Sequence, residues 1–369
     1  LAEYTELKEE LTARINRGSE LISSQSSDVE VNKAATDAIN TILPDVYLNV
    51  EAYKKLQVFR DVTLDEAITK YESIESLRDR LYDLSDEVDN ALEECCWTTE
   101  DIEKTTTSLD GIIREEMQKV WDEAIASGET LDEPLDVTML IDGLSYTYST
   151  TPYAASSVPD KQWEFGDATN FKTHYGTAEV WNQSPFEISN TLKDMPAGTY
   201  TIKTRAFYRT VDNQTNYDNY VGGEKTPLAF IFAGLSKSPL TNVAELATTD
   251  ESAFTSPAQL SNGMYLPNNQ QTAHDIFVNE EYDEKLVSTV TTVLAADGDL
   301  KFGIQGDQME SNSWVVWYSF EVSWNAIDED VLTDELTKLI EQGATIAEEV
   351  IYNAQAVSQL TEACDKASD

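Results

Sequence analysis

The sequence predicts a multidomain protein of α and β structure: an N-terminal helical bundle, an antiparallel β-sandwich and C-terminal helices. Apolar residues recur at helical spacing over residues 1–128. Residues 129–325 are richer in Thr, Tyr, Ser, Asn and Gly, and apolar residues there alternate between clusters of turn residues, as in antiparallel sheets. Residues 326–369 return to helical spacing. We therefore expect domain boundaries near residues 128 and 325.

Local signals place the ends of the N-terminal helices. A helix that begins near residue 31 is expected to stop near Pro44, because proline removes a backbone donor and crowds the preceding turn. Thr63 and Glu66 have the spacing of a capping box, which predicts a new helix start. A further helix is expected to begin at residue 98 or 99 and to end at Gly128.

The stretch from residue 176 to 209 predicts the centre of the sandwich. We expect one strand over residues 178–192, a turn containing Pro196 and Gly198, and an antiparallel strand over residues 199–209. On that reading Glu179 and Glu187 would share one face of a single strand, about 27 Å apart. The long segment 240–285 is either a substantial excursion or a functional loop.

The C-terminal segment echoes the N-terminus. A shift of about 325 positions superposes Leu7 on Leu332 and Leu11 on Leu336. Such self-similarity indicates a repeated helical module, so residues 326–369 could begin a second one. The alternative, that helices rich in Leu, Glu and Thr match by chance, stays open.

Charge and length exclude some classes of function. The 369 residues carry a formal net charge of −43, the opposite of what a nucleic-acid surface needs, so we expect no nucleic-acid partner. No apolar run has the length of a membrane span. The sequence begins at Leu1 rather than Met, which suits a chain whose targeting segment has been removed.

The residues contain no recognisable catalytic set. Only two histidines occur, His174 and His274, and Gly-x-Ser-x-Gly, P-loop, Gly-x-Gly-x-x-Gly and His-Glu-x-x-His patterns are absent. The separation expected for Glu179 and Glu187 exceeds that of a glycosidase pair. Three cysteines without a Cys-x-x-Cys give neither a disulfide framework nor a zinc site. We expect a non-enzymatic protein without a metal site.

The central segment resembles the galactose-binding-like β-sandwich domains found in surface proteins of gut Bacteroidetes. The resemblance lies in Glu179-Val180-Trp181-Asn182, in the turn from Leu192 to Tyr200 and in Phe207-Tyr208-Arg209, and it extends over residues 135–325. Val180 departs from an aromatic position, and the turn has one more residue before its proline. The resemblance implies a jelly-roll sandwich that many functions share.

The resemblance also bears on cofactors. Related sandwiches often hold a structural calcium beside the closing strand, which usually contains an Asp and an Asn. Tyr318 and Ser319 occupy those positions here, and calcium prefers six or more hard oxygen ligands. We therefore expect no cofactor, and a structural calcium has little support.

Aromatic residues beside polar ones are the candidate ligand-binding residues. Sugars present apolar C–H faces and hydroxyls, so a ring next to amide or charged groups suits them. We expect Trp163, in an exposed loop with Lys161 and Glu164, to be the first platform, and Trp181 with Asn182 the second. Packing in the core is the alternative role for each tryptophan.

These observations predict a non-catalytic surface protein that binds a glycan through the loops of its sandwich. The alternatives are a structural spacer or adhesion module with a protein partner, and an accessory region of a glycoside hydrolase. We expect an extracytoplasmic location, at the cell surface or anchored to the outer membrane after removal of a signal peptide. The sequence leaves the ligand and the oligomeric state open.

Overall fold

The computed structural model describes residues 3–146, 153–154, 163–166, 168–349, 358–359, 361 and 366. The chain divides into two compact units, Leu1–Val120 and Trp121–Asp369. Within the described residues, no helix is both long and apolar enough to cross a bilayer.

The first unit is helical. Its helices are α1 (Glu3–Ser23), α2 (Val29–Val58), α3 (Asp65–Lys70), α4 (Glu75–Glu94) and α5 (Thr99–Ser127), the last of which continues into the second unit. Large apolar side chains on facing helices are fully buried and form its core: Leu56, Leu64, Leu77, Leu81, Val88 and Ile102. Glu116 of α5 accepts hydrogen bonds from Arg80 of α4 and from Lys119.

Two predicted helix boundaries are wrong, and the two ends predicted for α5 are confirmed, since it begins at Thr99. Helix α2 continues through Pro44 to Val58. Thr63 caps no helix, because a π-helical turn from Phe59 to Leu64 joins α2 to α3 without a side-chain cap. Gly128 follows α5 with a φ of 63° and donates its N–H to the carbonyl of Ala124, as expected of a helix-ending glycine.

The described part of the second unit contains two large sheets. Their strands are β1 (Leu135–Asp136), β2 (Tyr153–Ala154), β3 (Trp163–Glu164), β4 (Phe171–His174), β5 (Thr177–Trp181), β6 (Phe186–Met195), β7 (Gly198–Arg209), β8 (Ala229–Ala233), β9 (Ser236–Pro239), β10 (Thr241–Asn242), β13 (Val287–Leu294), β14 (Gly298–Gly306) and β15 (Trp314–Asn325). The first sheet has the order β10-β7-β15-β5-β4-β2, with β13 also paired to β7 and β1 to β15. The second sheet has the order β3-β6-β14-β8-β9.

Short helices and a small hairpin complete the unit. The hairpin pairs β11 (Ala258–Gln259) with β12 (Tyr265–Leu266). The helices are α6 (Asn213–Gly222), α7 (Gln270–Phe277), α8 (Asp283–Leu286) and α9 (Glu329–Glu349).

The predicted hairpin at residues 178–209 is wrong in its pairing. Strand β5 belongs to the first sheet and β6 to the second, so the segment 178–192 is two strands separated by residues 182–185. Strand β7 returns to the first sheet, so the Pro196 turn connects the sheets instead of closing a hairpin. A Cβ on Gly198 in this turn would overlap the indole of Trp324, which explains the glycine.

Aromatic rings from both sheets meet in the core between them. Trp163 of β3 lies 6.0 Å from Phe302 of β14 and 5.4 Å from Phe320 of β15, measured between ring centroids. Phe302 and Phe320 are themselves 5.2 Å apart, edge to face. These contacts show that the two sheets pack face to face as a sandwich.

A second core covers the outer face of the first sheet. The excursion that follows β9 contributes buried apolar side chains, which pack against Phe207, Trp314 and Val316. The side chains it contributes are Val243, Leu246, Phe254, Leu260, Leu266, Ala273, Ile276, Phe277 and Leu286. Strands β7 and β15 are therefore buried on both faces here, which is why Phe207 and its neighbour Tyr208 are both buried.

Candidate functional site

The connections 168–170, 182–185, 210–228 and 307–313 meet at one end of the sandwich, which we call the loop end. Only four residues separate Trp181 from Phe186, which lie in different sheets, and this brings the ends of both sheets together here. Helix α6 lies within the connection that follows Arg209. Loops at one end of a rigid sandwich are where binding residues commonly lie.

Hydrogen bonds hold these connections in place. The amide of Asn182 donates to the carbonyl of Ser313 at 2.7 Å, and the amide of Asn312 donates to Oδ1 of Asn182 at 2.6 Å. Asn182 and Asn312 both have positive φ, 53° and 66°, a conformation that asparagine tolerates better than most residues. The hydroxyl of Ser184 donates to the carbonyl of Met309 and accepts from its amide. These hydrogen bonds therefore join two of the connections at the loop end, 182–185 and 307–313, to one another.

A row of three large side chains crosses the first sheet at the loop end. Trp181 of β5 lies opposite Trp314 of β15, and Trp314 lies opposite Arg209 of β7. Residues directly opposite one another project from the same face of a sheet. Trp314 is 2% exposed and Arg209 is 8% exposed, whereas Trp181 is 46% exposed. The row therefore ends in an accessible indole.

Arg209 is buried among neutral groups. Its Nη1 donates to Oδ1 of Asn213 at 2.9 Å and to Oδ1 of Asn268 at 2.6 Å, and its Nε donates to the carbonyl of Asn312 at 3.0 Å. Burial lowers the pKa of its guanidinium. Among the residues that the structure describes, no carboxylate pairs with Arg209. The ring of Trp314 lies 5.4 Å from Cζ and supplies a cation–π contact.

Glu179 lies on the other side of the same tryptophan. Its Oε2 accepts a hydrogen bond from Nε1 of Trp314 at 2.7 Å. Burial raises the pKa of Glu179, against the opposing effect of that hydrogen bond. Trp314 is thus positioned between one partly buried carboxyl group and one buried guanidinium.

The first-choice platform, Trp163, is not exposed. It forms β3 instead of a loop and is 5% exposed, and its indole N–H donates to the carbonyl of Gly143 at 2.8 Å. The prediction of an exposed loop at Trp163 is therefore wrong, because Phe302 and Phe320 enclose the ring. A ring enclosed in this way presents no face to a ligand.

The other predicted residues fall in different places. Trp181 and Asn182 are exposed at the loop end. Glu164 is exposed on β3, at the edge of the second sheet. Lys161 lies outside the described residues. The role of each in ligand binding stays a prediction.

Sequence reasoning missed Arg209, Asn213 and Asn268 as members of the site. Arg209 is the last residue of the aromatic-aromatic-Arg pattern, which was the available signal. The two asparagines lie 4 and 59 residues further along the chain, and no local pattern connects them with Arg209. They meet because α6 and the excursion both return to the end of β7.

The residues considered for catalysis do not converge. Glu179 is on β5 of the first sheet and Glu187 is on β6 of the second, so the expectation that they share one strand is wrong. His174 lies at the far end of β5 from Trp181, paired with Thr177, and its ring contacts Tyr175 at 3.8 Å. Among the described residues, no group of three or more His, Cys, Asp or Glu side chains could hold a metal ion.

No family model matches the chain, and no curated protein matches it. Similar solved structures include TmCBM61 in complex with beta-1,4-galactotriose, at 9% identity and a TM-score of 0.21 over 44% of this chain and 88% of that one. Another contains the CBM51-2 and INT domains of Clostridium perfringens ZmpB, at 11% identity and a TM-score of 0.17 over 60% of this chain and 37% of that one.

A third is a Bacteroides thetaiotaomicron VPI-5482 protein described provisionally as sugar-binding, at 11% identity and a TM-score of 0.19 over 53% of this chain and 86% of that one. TM-scores this low carry no argument about function. The proposals below therefore depend on the geometry of this chain.

Proposed function

We propose that the loop end binds a glycan, with Trp181 as the platform on which a sugar ring stacks. The observation that supports this most is the exposure of Trp181, at 46%, when the other six tryptophans are buried or partly buried. Leaving a large indole in water is unfavourable unless something covers it. A flat apolar ring beside amide groups suits the C–H face and the hydroxyls of a sugar.

Polar groups adjoin this platform in the direction of Arg209. Asn182 follows the tryptophan directly, and Arg209 lies two strands away, which corresponds to about 10 Å at the usual strand spacing. A ligand of more than one sugar ring would span that distance. Its hydroxyls would then meet the exposed side chain of Asn268, whose Oδ1 accepts a hydrogen bond from the buried guanidinium of Arg209.

The glycan proposal is tested on the full-length chain by a glycan array, followed by affinity measurements on Trp181→Ala. Losing a stacking ring typically costs about 2 kcal/mol, or about thirtyfold in affinity. The melting temperature should change little, because the ring is half exposed. Tyr82→Ala removes an exposed aromatic from the helical unit and serves as the matched control. Unchanged glycan affinity in Trp181→Ala would refute the platform.

We further propose that the protein is non-catalytic and acts outside the cytoplasm, at the cell surface. A bound glycan should be recovered intact after prolonged incubation, as judged by chromatography. Release of a shorter sugar that disappears on changing one carboxyl group or one histidine would contradict this.

A protein partner is the second candidate function. The helical unit leaves several large apolar side chains exposed: Ile22, Val29, Tyr47, Leu48 and Val58. Exposed apolar residues in such number favour an interaction surface. Under this alternative the protein would be a spacer or adhesion module, and Trp181→Ala would leave partner binding unchanged. An accessory region of a glycoside hydrolase would differ from the glycan-binding proposal only in its context.

A further inference from the structure

Glu179 lies on β5 two residues before the Trp181 platform. Side chains two residues apart on a strand project from the same face of the sheet, with their Cα atoms about 7 Å apart. Trp181 is 46% exposed and Glu179 is partly exposed. The carboxyl group is therefore within reach of a sugar ring that stacks on the indole of Trp181.

One of the two carboxylate oxygens of Glu179 is an accessible acceptor. Oε2 accepts the hydrogen bond from Nε1 of Trp314, whereas Oε1 accepts none from a described residue. Oε1 is also not among the described side-chain atoms that are buried away from solvent without a partner. A carboxylate can accept about four hydrogen bonds. Glu179 therefore has acceptor capacity left for a ligand, while Trp314 holds its other oxygen in place.

Lys172 of β4 lies directly opposite Glu179 and is exposed. Opposite side chains of an antiparallel pair share one face, with their Cβ atoms about 4.5–5.5 Å apart. Burial raises the pKa of Glu179, and the charge of Lys172 opposes this rise without a hydrogen bond between the two side chains. A donor and an acceptor thus lie side by side next to the indole, and neither is occupied by the other.

We propose that Glu179 and Lys172 contact the sugar ring that stacks on Trp181 and select a neutral sugar with two adjacent hydroxyls. Oε1 of Glu179 accepts a hydrogen bond from one hydroxyl, and Nζ of Lys172 donates to the oxygen of the other. A uronic acid is disfavoured, because Glu179 repels a second carboxylate on a chain whose formal net charge is −43. This inference rests on the proposed stacking site at Trp181.

The test uses the full-length chain and four neutral probes, the β-1,4-linked trimers of glucose, mannose, galactose and xylose, with trigalacturonic acid as the anionic probe. Calorimetry at pH 8 should show binding of at least one neutral trimer and at least tenfold weaker binding of the anionic one. Glu179→Gln and Lys172→Met should each weaken binding of the neutral trimer about tenfold, the usual effect of losing one charge-assisted hydrogen bond. Lys203→Met changes an exposed lysine elsewhere on the first sheet and should leave binding unchanged.

The pH dependence of binding separates Glu179 from the other ionisable groups near it. The ionised carboxylate is the stronger acceptor, so the affinity of the wild type should rise as pH rises through the raised pKa of Glu179 and then level off. The other titratable or charged side chains on the elements packed against this face are the same in the wild type and in Glu179→Gln: Lys172, His174, Arg209, His274, Asp275 and Tyr318. The ratio of the two affinities therefore isolates Glu179, and a ratio that does not change with pH would refute the contact.

Trp314→Phe separates a direct contact of Glu179 from an effect through Trp314. The variant removes the indole N–H that Glu179 accepts and keeps an aromatic ring. If Glu179 contacts the sugar, Glu179→Gln should still weaken binding about tenfold in the Trp314→Phe background. If the effect disappears there, Glu179 acts only by orienting Trp314, and the proposed contact is wrong. Lys172 is exposed, so Lys172→Met decides the case if Trp314→Phe does not fold.

The remaining outcomes distinguish this inference from the stacking site on which it rests. Binding of none of the trimers, or unchanged binding in Trp181→Ala, would refute the stacking site and this inference with it. Binding that depends on Trp181 but is unchanged in Glu179→Gln and Lys172→Met would refute this inference alone. Binding of trigalacturonic acid as tight as that of the neutral trimers would refute the preference for a neutral sugar.

Discussion

The indole N–H of Trp314 donates to Oε2 of Glu179 across 2.7 Å, so a buried tryptophan is held in place by a carboxyl group whose pKa burial raises. The same ring lies 5.4 Å from the guanidinium of Arg209. A negative and a positive group thus share one aromatic ring at the base of the exposed Trp181. The orientation of that row should depend on the ionisation of Glu179.

Glu179→Gln keeps an acceptor for the indole N–H and removes the titration. The pKa of Glu179 is raised in the folded state. Its contribution to the free energy of unfolding is therefore fully present below the unfolded pKa, about 4.3. That contribution is lost as pH rises through the folded pKa. The stability of the wild type relative to Glu179→Gln should therefore fall across that window and then level off. Urea unfolding at a series of pH values measures this. A wild type that gains stability over the variant as pH rises would contradict it.

Trp163→Ala should destabilise the sandwich instead of weakening ligand binding. Removing a buried tryptophan typically costs about 3–5 kcal/mol. Trp163→Phe keeps most of the packing against Phe302 and Phe320 and loses only the hydrogen bond to Gly143, so it should cost about 1–2 kcal/mol. Thermal unfolding and glycan affinity should be measured on both variants. A loss of affinity without a loss of stability would restore Trp163 as a platform.

The ion pair between Arg205 and Asp283 should have the opposite pH dependence from Glu179. Nε and Nη2 of Arg205 donate to both carboxylate oxygens of Asp283, at 2.7 and 2.8 Å, and join α8 to β7. Hydrogen bonding to Arg205 lowers the pKa of Asp283. The stabilisation is present above the unfolded pKa of about 4 and is lost as pH falls through the lower folded value.

Asp283→Asn should therefore lower the free energy of unfolding by about 1 kcal/mol at pH 7. The value is small because solvent screens an ion pair that is partly exposed. The difference from the wild type should shrink in acid, as followed by urea unfolding. Asp299→Asn breaks a more exposed pair with Lys193 and should change stability less. If Asp283→Asn lowered the free energy of unfolding equally at pH 7 and at pH 3, the ion pair with Arg205 would not contribute to stability in this way.

We propose domain boundaries near residues 128 and 325. Limited proteolysis should release a stable fragment of about residues 129–325, and circular dichroism should show that it retains its sheets. The sandwich has its own buried core, which favours independent folding. Cleavage mainly within 178–209, or an unfolded fragment, would show that these residues are not a separate domain.

The change from helices to a sandwich could be predicted because it depends on periodicity. The pairing of strands could not, since Val180 of β5 and Phe186 and Ile188 of β6 keep the same period of two on either side of residues 182–185. The interruption had a local signal, the sequence Asn182 to Pro185, which is rich in turn-forming residues. Pro44 shows the reverse case, in which a local helix breaker is overridden within α2.

The candidate site could be predicted only in part, for a physical reason. Trp163 and Trp181 have similar polar neighbours in the sequence, and burial separates them only after both sheets have assembled. Phe302 and Phe320, which enclose Trp163, lie more than 130 residues away along the chain.

Leu131 and Asn325 hold the entry and the exit of the sandwich side by side. The amide of Leu131 donates to Oδ1 of Asn325 at 2.8 Å, and Nδ2 of Asn325 donates back to the carbonyl of Leu131 at 2.9 Å. Asn325 ends β15 opposite Thr199, whereas Trp314 at the other end of that strand adjoins Trp181. A pulling force along the chain would therefore act first on the hydrogen bonds between Leu131 and Asn325. The strands between these residues and the loop end would not be stretched, so the protein should keep a ligand bound at the loop end while under tension.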